Sequence, residues 1–442
     1  MIESDNEVNE SPNHGTPFAN LDSDARSIIS DLENNKDQIG HGSFGRVYKS
    51  EYITENNERI EVAVKKISIR NSEGFPLSAI REITILKKYS HPNIVKLIDT
   101  FVDKPKPNKK GNVSLVYEYA QHDLAALLRE KVDFDLDCIK SIMFQILNGV
   151  KFIHDNYILH RDIKPANILI TNKGEVKLAD FGLSRYYEKR KNKWKAYTNP
   201  VETLWYRSPE LLMSECYYKT PIDMWSVGCV MAELFTKQPL FKEQNVTNQI
   251  KKILQFIGRP SEIELQRYFK INEGGNLDFI LSILPEEGEY SDFEGNLEAE
   301  DKTGFLKKDS PAMNLIKGLL TFNINKRLTA DQALNHEFFK GIPEGQALRD
   351  PLNKKLQSEP FKNKEFHGEK VIFVKKNEVQ IKEAKNNSVG NEHYYTSRPP
   401  KKKAHIAKKI TEYVLDENKM EVEEQQVQNE QVQNWNSLDD FI

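Results

Sequence analysis

The chain has 442 residues, a formal net charge of -3 at pH 7, and 38% hydrophobic residues. This length allows a large core, and the weak net charge gives no case for general nucleic-acid or membrane binding. No apolar run approaches the roughly eighteen residues that span a bilayer. The N-terminal segment MIESDNEVNE lacks signal-peptide features, so we expect an intracellular protein. The cysteines, Cys138, Cys216 and Cys229, lack zinc-ligand spacing and are expected to be buried thiols.

The first part of the chain predicts a disordered leader followed by a small β-rich lobe. Residues 1–32 are rich in Asn, Asp, Glu and Ser and contain few large apolar side chains. The segments IGHGSFGRVYKSEYI and RIEVAVKKISI are rich in β-branched and aromatic residues, which favour antiparallel strands. In SAIREITILKKYS, Ile80, Ile83 and Leu86 recur near helical spacing, so one helix precedes the strand VSLVYEY. We expect this lobe to span about residues 33–119.

The middle of the chain predicts a larger and mainly helical lobe. Between residues 138 and 154, apolar residues cover much of the surface of a predicted helix. The segments 222–235 and 313–320 also favour helices. The predicted fold class is therefore α+β, with two lobes in residues 33–340 and the larger lobe in about 124–340.

The last hundred residues, 341–442, are rich in Lys, Glu, Asn and Gln and predict a largely disordered charged tail. Within this tail lies the cluster Pro399-Pro400-Lys401-Lys402-Lys403. Such a cluster is either a nuclear-import signal or a solvated run of charge in a flexible segment.

Two segments of the small lobe carry residues suited to holding phosphate. The run Gly40-His41-Gly42-Ser43-Phe44-Gly45 lies between predicted strands, where backbone N–H groups can approach phosphate oxygens. A dinucleotide fold has the same glycine spacing, but there a helix follows and an acidic residue lies about twenty positions on. Here a strand follows the glycines, and the residue twenty positions beyond Gly45 is Lys65 rather than an acidic residue. Its ammonium group can hold phosphate, and Glu82 on the following helix can pair with it.

A third segment carries the candidate reactive groups. The run His160-Arg161-Asp162-Ile163-Lys164-Pro165-Ala166-Asn167 is followed by Asp180-Phe181-Gly182. Asp162 is the candidate base that would accept a hydroxyl proton, and Lys164 can neutralise charge on a transferring phosphate. Asn167 and Asp180 offer the oxygen ligands that Mg²⁺ prefers. Any one of these aspartates alone would be interpreted as a cap or turn residue, but the set occurs in a fixed order.

Together with Ser208-Pro209-Glu210, Asp223, Trp225 and Gly228, these motifs resemble the protein-kinase signature set across about residues 33–340. Within that family, SAIRE and YTNPVETLWYRSPELL resemble the cyclin-dependent kinases. GFPLSAIREI and YEYAQHDLAALL resemble their transcription-elongation branch, whose members phosphorylate the repeat tail of RNA polymerase II. The resemblance implies a bilobal, nuclear serine/threonine kinase that uses ATP and Mg²⁺, with a cytoplasmic pool also allowed. It implies a cyclin partner and the polymerase C-terminal domain as substrate, without direct nucleic-acid or membrane binding.

The resemblance also implies roles for individual residues around the nucleotide. Adenine would lie between Val47 and Ala63 above and Leu169 below, with Tyr117 as gatekeeper. The residues expected to contact ATP are Ile39, Gly40, Gly42, Gly45, Val47, Ala63, Lys65, Glu118, Ala120 and Leu169.

Two further sets of residues follow from the same resemblance. Phosphorylated Thr198 would be bound by three cations, Arg81, Arg161 and Arg185. In the large lobe, Glu210 would pair with Arg327.

The chain departs from the family pattern at three positions. Glu202 replaces a valine beside the pocket for the proline that follows the phosphorylated residue, which puts strict proline preference in doubt. Phe44 lies where many cell-cycle relatives carry an inhibitory tyrosine, and Ser43 beside it is a candidate inhibitory site. Ser208 replaces the usual alanine.

Three other functions remain open at this point. The first is a cell-cycle kinase, which the chain resembles less well at Phe44 and in the hinge sequence than it resembles the transcription branch. The second is a mitogen-activated type of kinase, against which the SAIRE sequence argues. A non-catalytic pseudokinase scaffold would commonly lack the lysine, the base or a metal ligand, and this chain has all of them.

Overall fold

The structure is a computed structural model that describes residues 38–42, 45–54, 56–69, 76–102, 111–187, 204–213, 218–261, 292–368 and 370–373. All of them fall within the unit Ser23–Lys376. The predictions for the leader, Ser43, Phe44, Thr198, Glu202, Cys216 and the tail beyond residue 373 lie outside these ranges. Among the described helices, none is both long enough and apolar enough to cross a membrane.

The small lobe is built on one five-stranded antiparallel sheet. Its strands are β1 (Gln38–Gly42), β2 (Gly45–Ile53), β3 (Arg59–Ser68), β4 (Leu97–Val102) and β5 (Asn112–Glu118), in the spatial order β1-β2-β3-β5-β4. Val62, Val64 and Val116 are fully buried on one face of the sheet, as the β-branched pattern predicts. The pairing sets Lys65 opposite Val47 on β2 and opposite Leu115 on β5.

One described helix, α1 (Leu77–Lys88), lies between β3 and β4 in the chain. Its buried side includes Ile80, Ile83 and Leu86, the residues whose spacing predicted the helix. Glu82 lies on the same side and is only 2% exposed. A carboxylate that is so deeply buried needs a cationic partner, which the next section identifies.

The large lobe is mainly helical, as predicted. Its helices are α2 (Leu124–Arg129), α3 (Leu136–Asp155), α4 (Pro209–Leu212), α5 (Pro221–Thr236), α6 (Val246–Ile257), α7 (Phe293–Glu300), α8 (Pro311–Leu319) and α9 (Ala330–Leu334). Its short strands are β6 (His122–Asp123), β7 (Ile158–Leu159), β8 (Ile168–Ile170), β9 (Val176–Leu178) and β10 (Arg185–Tyr186). The helices predicted over 138–154, 222–235 and 313–320 are confirmed within three residues at each end.

Helix α3 forms the centre of the large lobe. It begins where the Asp135 side chain accepts a hydrogen bond from the backbone N–H of Cys138 (2.8 Å). Ile139, Ile142 and Ile146 are fully buried along it. Cys138 and Cys229 are buried free thiols, as expected.

A buried ion pair braces the large lobe. Arg327 donates to both carboxylate oxygens of Glu210, at 2.6 and 3.1 Å, and this is the pair that the family resemblance implied. The guanidinium group also lies 5.1 Å from the ring centroid of Trp225. It also donates to the carbonyl oxygens of Pro221 and Thr321, so each of its three nitrogen atoms makes at least one hydrogen bond. The pair fixes the start of α4 against the start of α5.

The structure corrects the predicted boundary near residue 341. Helix α10 (Gly345–Gln357) and the strands β11 (Lys364–His367) and β12 (Lys370–Phe373) continue the fold into the segment that was expected to be largely disordered. Leu352 and Leu356 of α10 are buried against the large lobe. Strand β11 joins a sheet of order β12-β11-β6-β8-β9. The folded part of the chain therefore extends at least to residue 373.

Candidate active site

The glycine-rich turn joins β1 to β2 at the edge of the small-lobe sheet. Gly42 pairs with Gly45 across the turn, and Gly40 pairs with Val47. A Cβ atom at Gly45 would collide with the backbone carbonyl of Lys66, so this position requires glycine. Ile39 is buried just before the turn.

Lys65 lies between two carboxylates. Its Nζ atom is 2.9 Å from Glu82 Oε2 on α1 and 2.9 Å from Asp180 Oδ1, which follows β9. Burial alone would lower the pKa of Lys65, but the attraction of Glu82 and Asp180 outweighs burial and raises the pKa. The ammonium group is therefore charged and joins three separate elements of the fold.

The two carboxylates respond differently to the same lysine. Burial raises the pKa of Glu82, although Lys65 opposes the rise. Burial also acts to raise the pKa of Asp180, but here the attraction of Lys65 prevails and the pKa is lowered. Asp180 therefore remains ionised, which is the state that a metal ligand requires.

The candidate base Asp162 is held by two neighbours in its own loop. Lys164 Nζ lies 2.8 Å from Asp162 Oδ2, and Asn167 Nδ2 donates to the same oxygen at 2.7 Å. Asn167 Nδ2 also donates to the Asp162 backbone carbonyl (2.8 Å). Because the amide nitrogen of Asn167 is engaged with Asp162, its amide oxygen is the atom that it can offer to a cation.

A buried carboxylate beneath the loop fixes the loop's backbone. Asp223 accepts hydrogen bonds from the backbone N–H groups of His160 (2.9 Å) and Arg161 (2.8 Å), and from His154 Nε2 (2.9 Å). Burial acts to raise the pKa of Asp223, but the hydrogen bonds and His154 lower it overall. Arg161 has a φ of 68°, in the left-handed region that is unfavourable for a non-glycine residue. The Asp223 carboxylate holds the chain in this conformation.

The uncharged ring of His160 connects two parts of the site. Burial lowers its pKa, so the ring is uncharged at neutral pH. Its Nε2 atom lies 3.1 Å from the Ala179 carbonyl, and its Nδ1 atom accepts from the Asp162 backbone N–H at 3.3 Å. A neutral ring with the proton on Nε2 satisfies both contacts. The ring therefore links Asp162 to the residue that precedes Asp180.

The strand β5 and the residues after it form the hinge between the lobes. Tyr117 is buried opposite Ala63, and burial together with Glu82 raises the pKa of its hydroxyl. The Glu118 side chain accepts from the backbone N–H of Lys96 (2.7 Å) and pairs with Lys177 (3.0 Å). The Glu118 side chain is therefore engaged in polar contacts on both sides of the hinge. Leu169 is partly buried on β8, on the large-lobe side.

The three arginines assigned to Thr198 lie on different elements. Arg81 is on α1, Arg185 is on β10, and Arg161 is in the loop described above. Arg161 donates to the Leu183 carbonyl (2.7 Å) and to the Tyr218 hydroxyl (2.6 Å). Burial raises the pKa of Tyr218, and the positive charges of Arg161 and Arg185 oppose this rise. Arg161 and Arg185 therefore lie near the same hydroxyl group.

Two features of the site are absent from the sequence predictions. Asp223 was recognised as a motif residue, but nothing in its spacing indicates that it binds backbone more than sixty positions earlier. The contacts of Glu365 with Lys49 and Tyr119 come from the segment that was expected to be disordered. Its composition, rich in Lys and Glu, gave no signal for them.

Comparison with known proteins agrees with this geometry. The protein kinase domain family matches residues 34–339. Cyclin-dependent kinase 9-A of Xenopus laevis is 39% identical over 336 residues, covering 73% of this chain and 84% of that protein. Cyclin-dependent kinase 12 of Caenorhabditis elegans is 40% identical over 315 residues, covering 69% of this chain and 40% of that protein.

Cyclin-dependent kinase G-2 of Oryza sativa subsp. indica is 38% identical over 308 residues, covering 69% of this chain and 41% of that protein. The chain thus spans less than half the length of the nematode and rice relatives. The matched part holds both lobes and the whole cluster around Lys65. The chain therefore belongs to the protein kinase family, and its kinase domain is a serine/threonine kinase domain of the cyclin-dependent type.

Proposed function

We propose that this chain is the catalytic subunit of a cyclin-dependent serine/threonine kinase, which transfers the γ-phosphate of ATP to serine or threonine in proteins. The observation that carries the proposal is the Lys65 ammonium group, 2.9 Å from both Glu82 and Asp180. A charged lysine in this position can hold the phosphates that are not transferred. The other groups that phosphoryl transfer requires lie in the adjoining loop.

The nucleotide is assigned to the space beneath the small-lobe sheet. Val47 and Ala63 would cover the adenine ring, and Leu169 would lie below it. The hinge backbone at Glu118 and Ala120 would hydrogen-bond the edge of the ring. The glycines Gly40, Gly42 and Gly45 leave room for backbone N–H groups to approach phosphate oxygens.

Asn167 and Asp180 are the residues that would hold Mg²⁺. When bound, the ion would neutralise developing charge on the phosphates. The donor chemistry fits, because Asp180 is ionised and the Asn167 amide nitrogen is engaged elsewhere. Among the described residues, no group of three or more His, Cys, Asp or Glu side chains could hold a metal ion. We infer that nucleotide phosphate oxygens complete the set of ligands.

Asp162 is assigned as the base. Its carboxylate would accept the proton of the substrate hydroxyl and orient that oxygen for in-line attack. Lys164, 2.8 Å from Asp162 Oδ2, holds the carboxylate and supplies a positive charge beside the transferring phosphate. The neutral His160 ring and the Asp223 carboxylate position the loop without taking part in proton transfer.

Replacing Asp162 with Asn tests this assignment. We expect the rate of phosphate transfer to fall roughly 10²- to 10⁴-fold, because the amide cannot accept the proton. The rate would be measured with labelled ATP, and MgADP affinity would be measured in parallel to show that the variant is folded. Asp137→Asn, at an exposed position, is the matched control. Full activity in Asp162→Asn refutes the base assignment, and a wild-type complex that binds MgADP but transfers no phosphate would favour a pseudokinase scaffold.

A cyclin is the proposed partner, and helix α1 is its proposed contact. The relatives described above are called cyclin-dependent kinases, and α1 carries the SAIRE sequence. Leu77, at the start of α1, is 47% exposed, which is high for a leucine. A protein that packs on α1 would hold Glu82 against Lys65. Phosphorylated Thr198, bound by Arg81, Arg161 and Arg185, would stabilise the same arrangement.

The proposed substrate is the repeat tail of RNA polymerase II. This assignment rests on the resemblance of GFPLSAIREI and YEYAQHDLAALL to the transcription-elongation branch. A cell-cycle kinase is the alternative. Glu202, beside the expected proline pocket, argues for a relaxed requirement for proline after the phosphorylated residue.

Purification of the tagged chain from its own cells tests both the partner and the substrate. We expect a cyclin to co-purify, and the complex to phosphorylate polymerase-tail peptides faster than a histone-type substrate. Recombinant kinase that is fully active alone, with no gain from any cyclin, would remove the cyclin proposal. A preference for the histone-type substrate would favour the cell-cycle alternative.

A nuclear location is proposed from the basic cluster at residues 399–403, which lies outside the described residues. Deleting these five residues should reduce nuclear accumulation of a fluorescently tagged chain, because import signals of this kind act through clustered positive charge. The matched control deletes the five residues 386–390, Asn-Asn-Ser-Val-Gly, from the same tail. An unchanged distribution would show that the cluster is only a solvated run of charge.

A further inference from the structure

The end of helix α1 carries a tyrosine on the side of the helix that holds Glu82. Tyr89 is the residue at which α1 ends, and its backbone N–H still donates to the Ile85 carbonyl (2.9 Å). Tyr89 follows Glu82 by two turns, so the two residues lie on nearly the same side of the helix. Their separation along the axis is about 10 Å, because the helix rises about 1.5 Å per residue.

Tyr89 contacts two elements outside α1. Its ring packs edge-on against Phe152 of α3, with the ring centroids 6.3 Å apart. Its hydroxyl group shares a hydrogen bond with the hydroxyl group of Tyr186 on β10. Burial raises the pKa of Tyr186, and the Tyr89 hydroxyl raises it further, so Tyr186 keeps its proton near neutral pH. The end of α1 is therefore joined both to α3 and to the strand that follows Asp180.

Lys88 adds a positive charge to the contact between the two tyrosines. Its Nζ atom lies 5.2 Å from the centroid of the Tyr89 ring and 5.8 Å from that of the Tyr186 ring. An ammonium group is attracted to an aromatic ring within about 6 Å, so Lys88 is close enough to both rings. It also lies in the last turn of α1, where a positive charge is favourable. One side chain therefore attracts rings from both elements.

Strand β10 is itself fixed to the large lobe. Tyr186 pairs with Ile158 of β7 in an antiparallel ladder. The next residue, Tyr187, donates its hydroxyl to the His154 carbonyl (2.9 Å). The Tyr187 ring also packs edge-on against the Tyr157 ring, with the centroids 5.7 Å apart. Strand β10 is therefore a well-anchored element to which the end of α1 is attached.

Helix α1 is thus attached at two points. Glu82 contacts Lys65 at 2.9 Å near the middle of the helix, and Tyr89 contacts Tyr186 at its end. A helix that is held at one point can turn about that point, whereas a helix held at two points must break a contact to turn. The contact with Tyr186 therefore limits how far Glu82 can swing away from Lys65. Since Tyr186 is 43% exposed, its ring can be removed without leaving a buried cavity.

We propose that Lys88, Tyr89 and Tyr186 form a latch between the end of α1 and β10. Tyr186 is then a positioning residue for Glu82, because the latch raises the fraction of kinase molecules in which Glu82 binds Lys65. The proposed partner binds α1 in that same arrangement, so the latch lowers the partner concentration that activation requires. This inference rests on the proposed kinase activity and on the proposed partner contact at α1.

Titration of the full-length kinase with its co-purified partner tests the positioning role. Tyr186→Ala removes the ring and the hydroxyl group together. We expect the partner concentration that gives half-maximal phosphate transfer to rise roughly 3- to 30-fold, because fewer molecules have α1 aligned. The rate at saturating partner should change less than about 2-fold, since the bound partner then aligns α1. Tyr186→Phe keeps the ring beside Lys88 and should cause a smaller rise than Tyr186→Ala.

Hydrogen exchange in the kinase alone tests the latch without a transfer assay. The backbone amides of α1 should exchange roughly 3- to 30-fold faster in Tyr186→Ala than in the wild type, because the end of the helix is released. Phe305→Ala is the matched control, since it removes a ring of similar exposure (40%) from the large lobe. It should change neither the exchange of α1 nor the half-maximal partner concentration. Unchanged exchange of α1 in Tyr186→Ala would overturn the latch.

The two measurements together separate the latch from a partner contact and from a failure of the proposed function. If the half-maximal partner concentration rises while the exchange of α1 is unchanged, Tyr186 contacts the partner directly and the latch is wrong. If the exchange of α1 rises while that concentration is unchanged, Tyr186 does not position Glu82 and the proposal is overturned. A wild-type kinase that gains no activity from any partner contradicts the proposed cyclin dependence, and the positioning role is overturned with it.

Discussion

The arrangement of the site depends on one buried positive charge, the Lys65 ammonium group. Taking such a charge out of water is costly unless anionic partners are close and well oriented. Glu82 and Asp180 meet that requirement from two directions, each at 2.9 Å. The small-lobe sheet, helix α1 and the segment after β9 are therefore coupled through a single atom. Displacing α1 would remove Glu82, one of the two carboxylates that hold Lys65, and would disturb the proposed metal and phosphate positions together.

A second set of buried polar contacts fixes the loop that carries the candidate base. Asp223 binds the backbone of His160 and Arg161, and the neutral His160 ring connects Asp162 with Ala179. Since Ala179 directly precedes Asp180, the His160 contact connects this loop to the Lys65 cluster. Asp162 thus receives part of its position from the buried groups Asp223 and His160. Such preorganisation is what in-line phosphate transfer requires of a protein.

Much of the fold could be predicted, as could the pairing of Lys65 with Glu82, because the relevant signals are local. Helix α3 is revealed by its apolar periodicity, and Lys65 is recognised from the strand around it and the glycines before it. The position of β11 could not be predicted in this way. Helix α10 has Pro351 in its interior, and a lysine-rich sequence with few apolar residues favours disorder. Its burial depends on Leu352 and Leu356 meeting a surface that only the folded large lobe creates.

The rate of phosphate transfer by Glu82→Gln tests the central role of the Lys65 cluster most directly. In the complex purified with its partner, kcat/KM is expected to fall roughly 10- to 150-fold, since the buried lysine loses one of its two anionic partners and the hydrogen bond between them is no longer charge-assisted on both sides. Glu58→Gln, an exposed change in the same lobe, should have no effect. A Glu82→Gln complex whose kcat/KM equals that of the wild type would contradict the account.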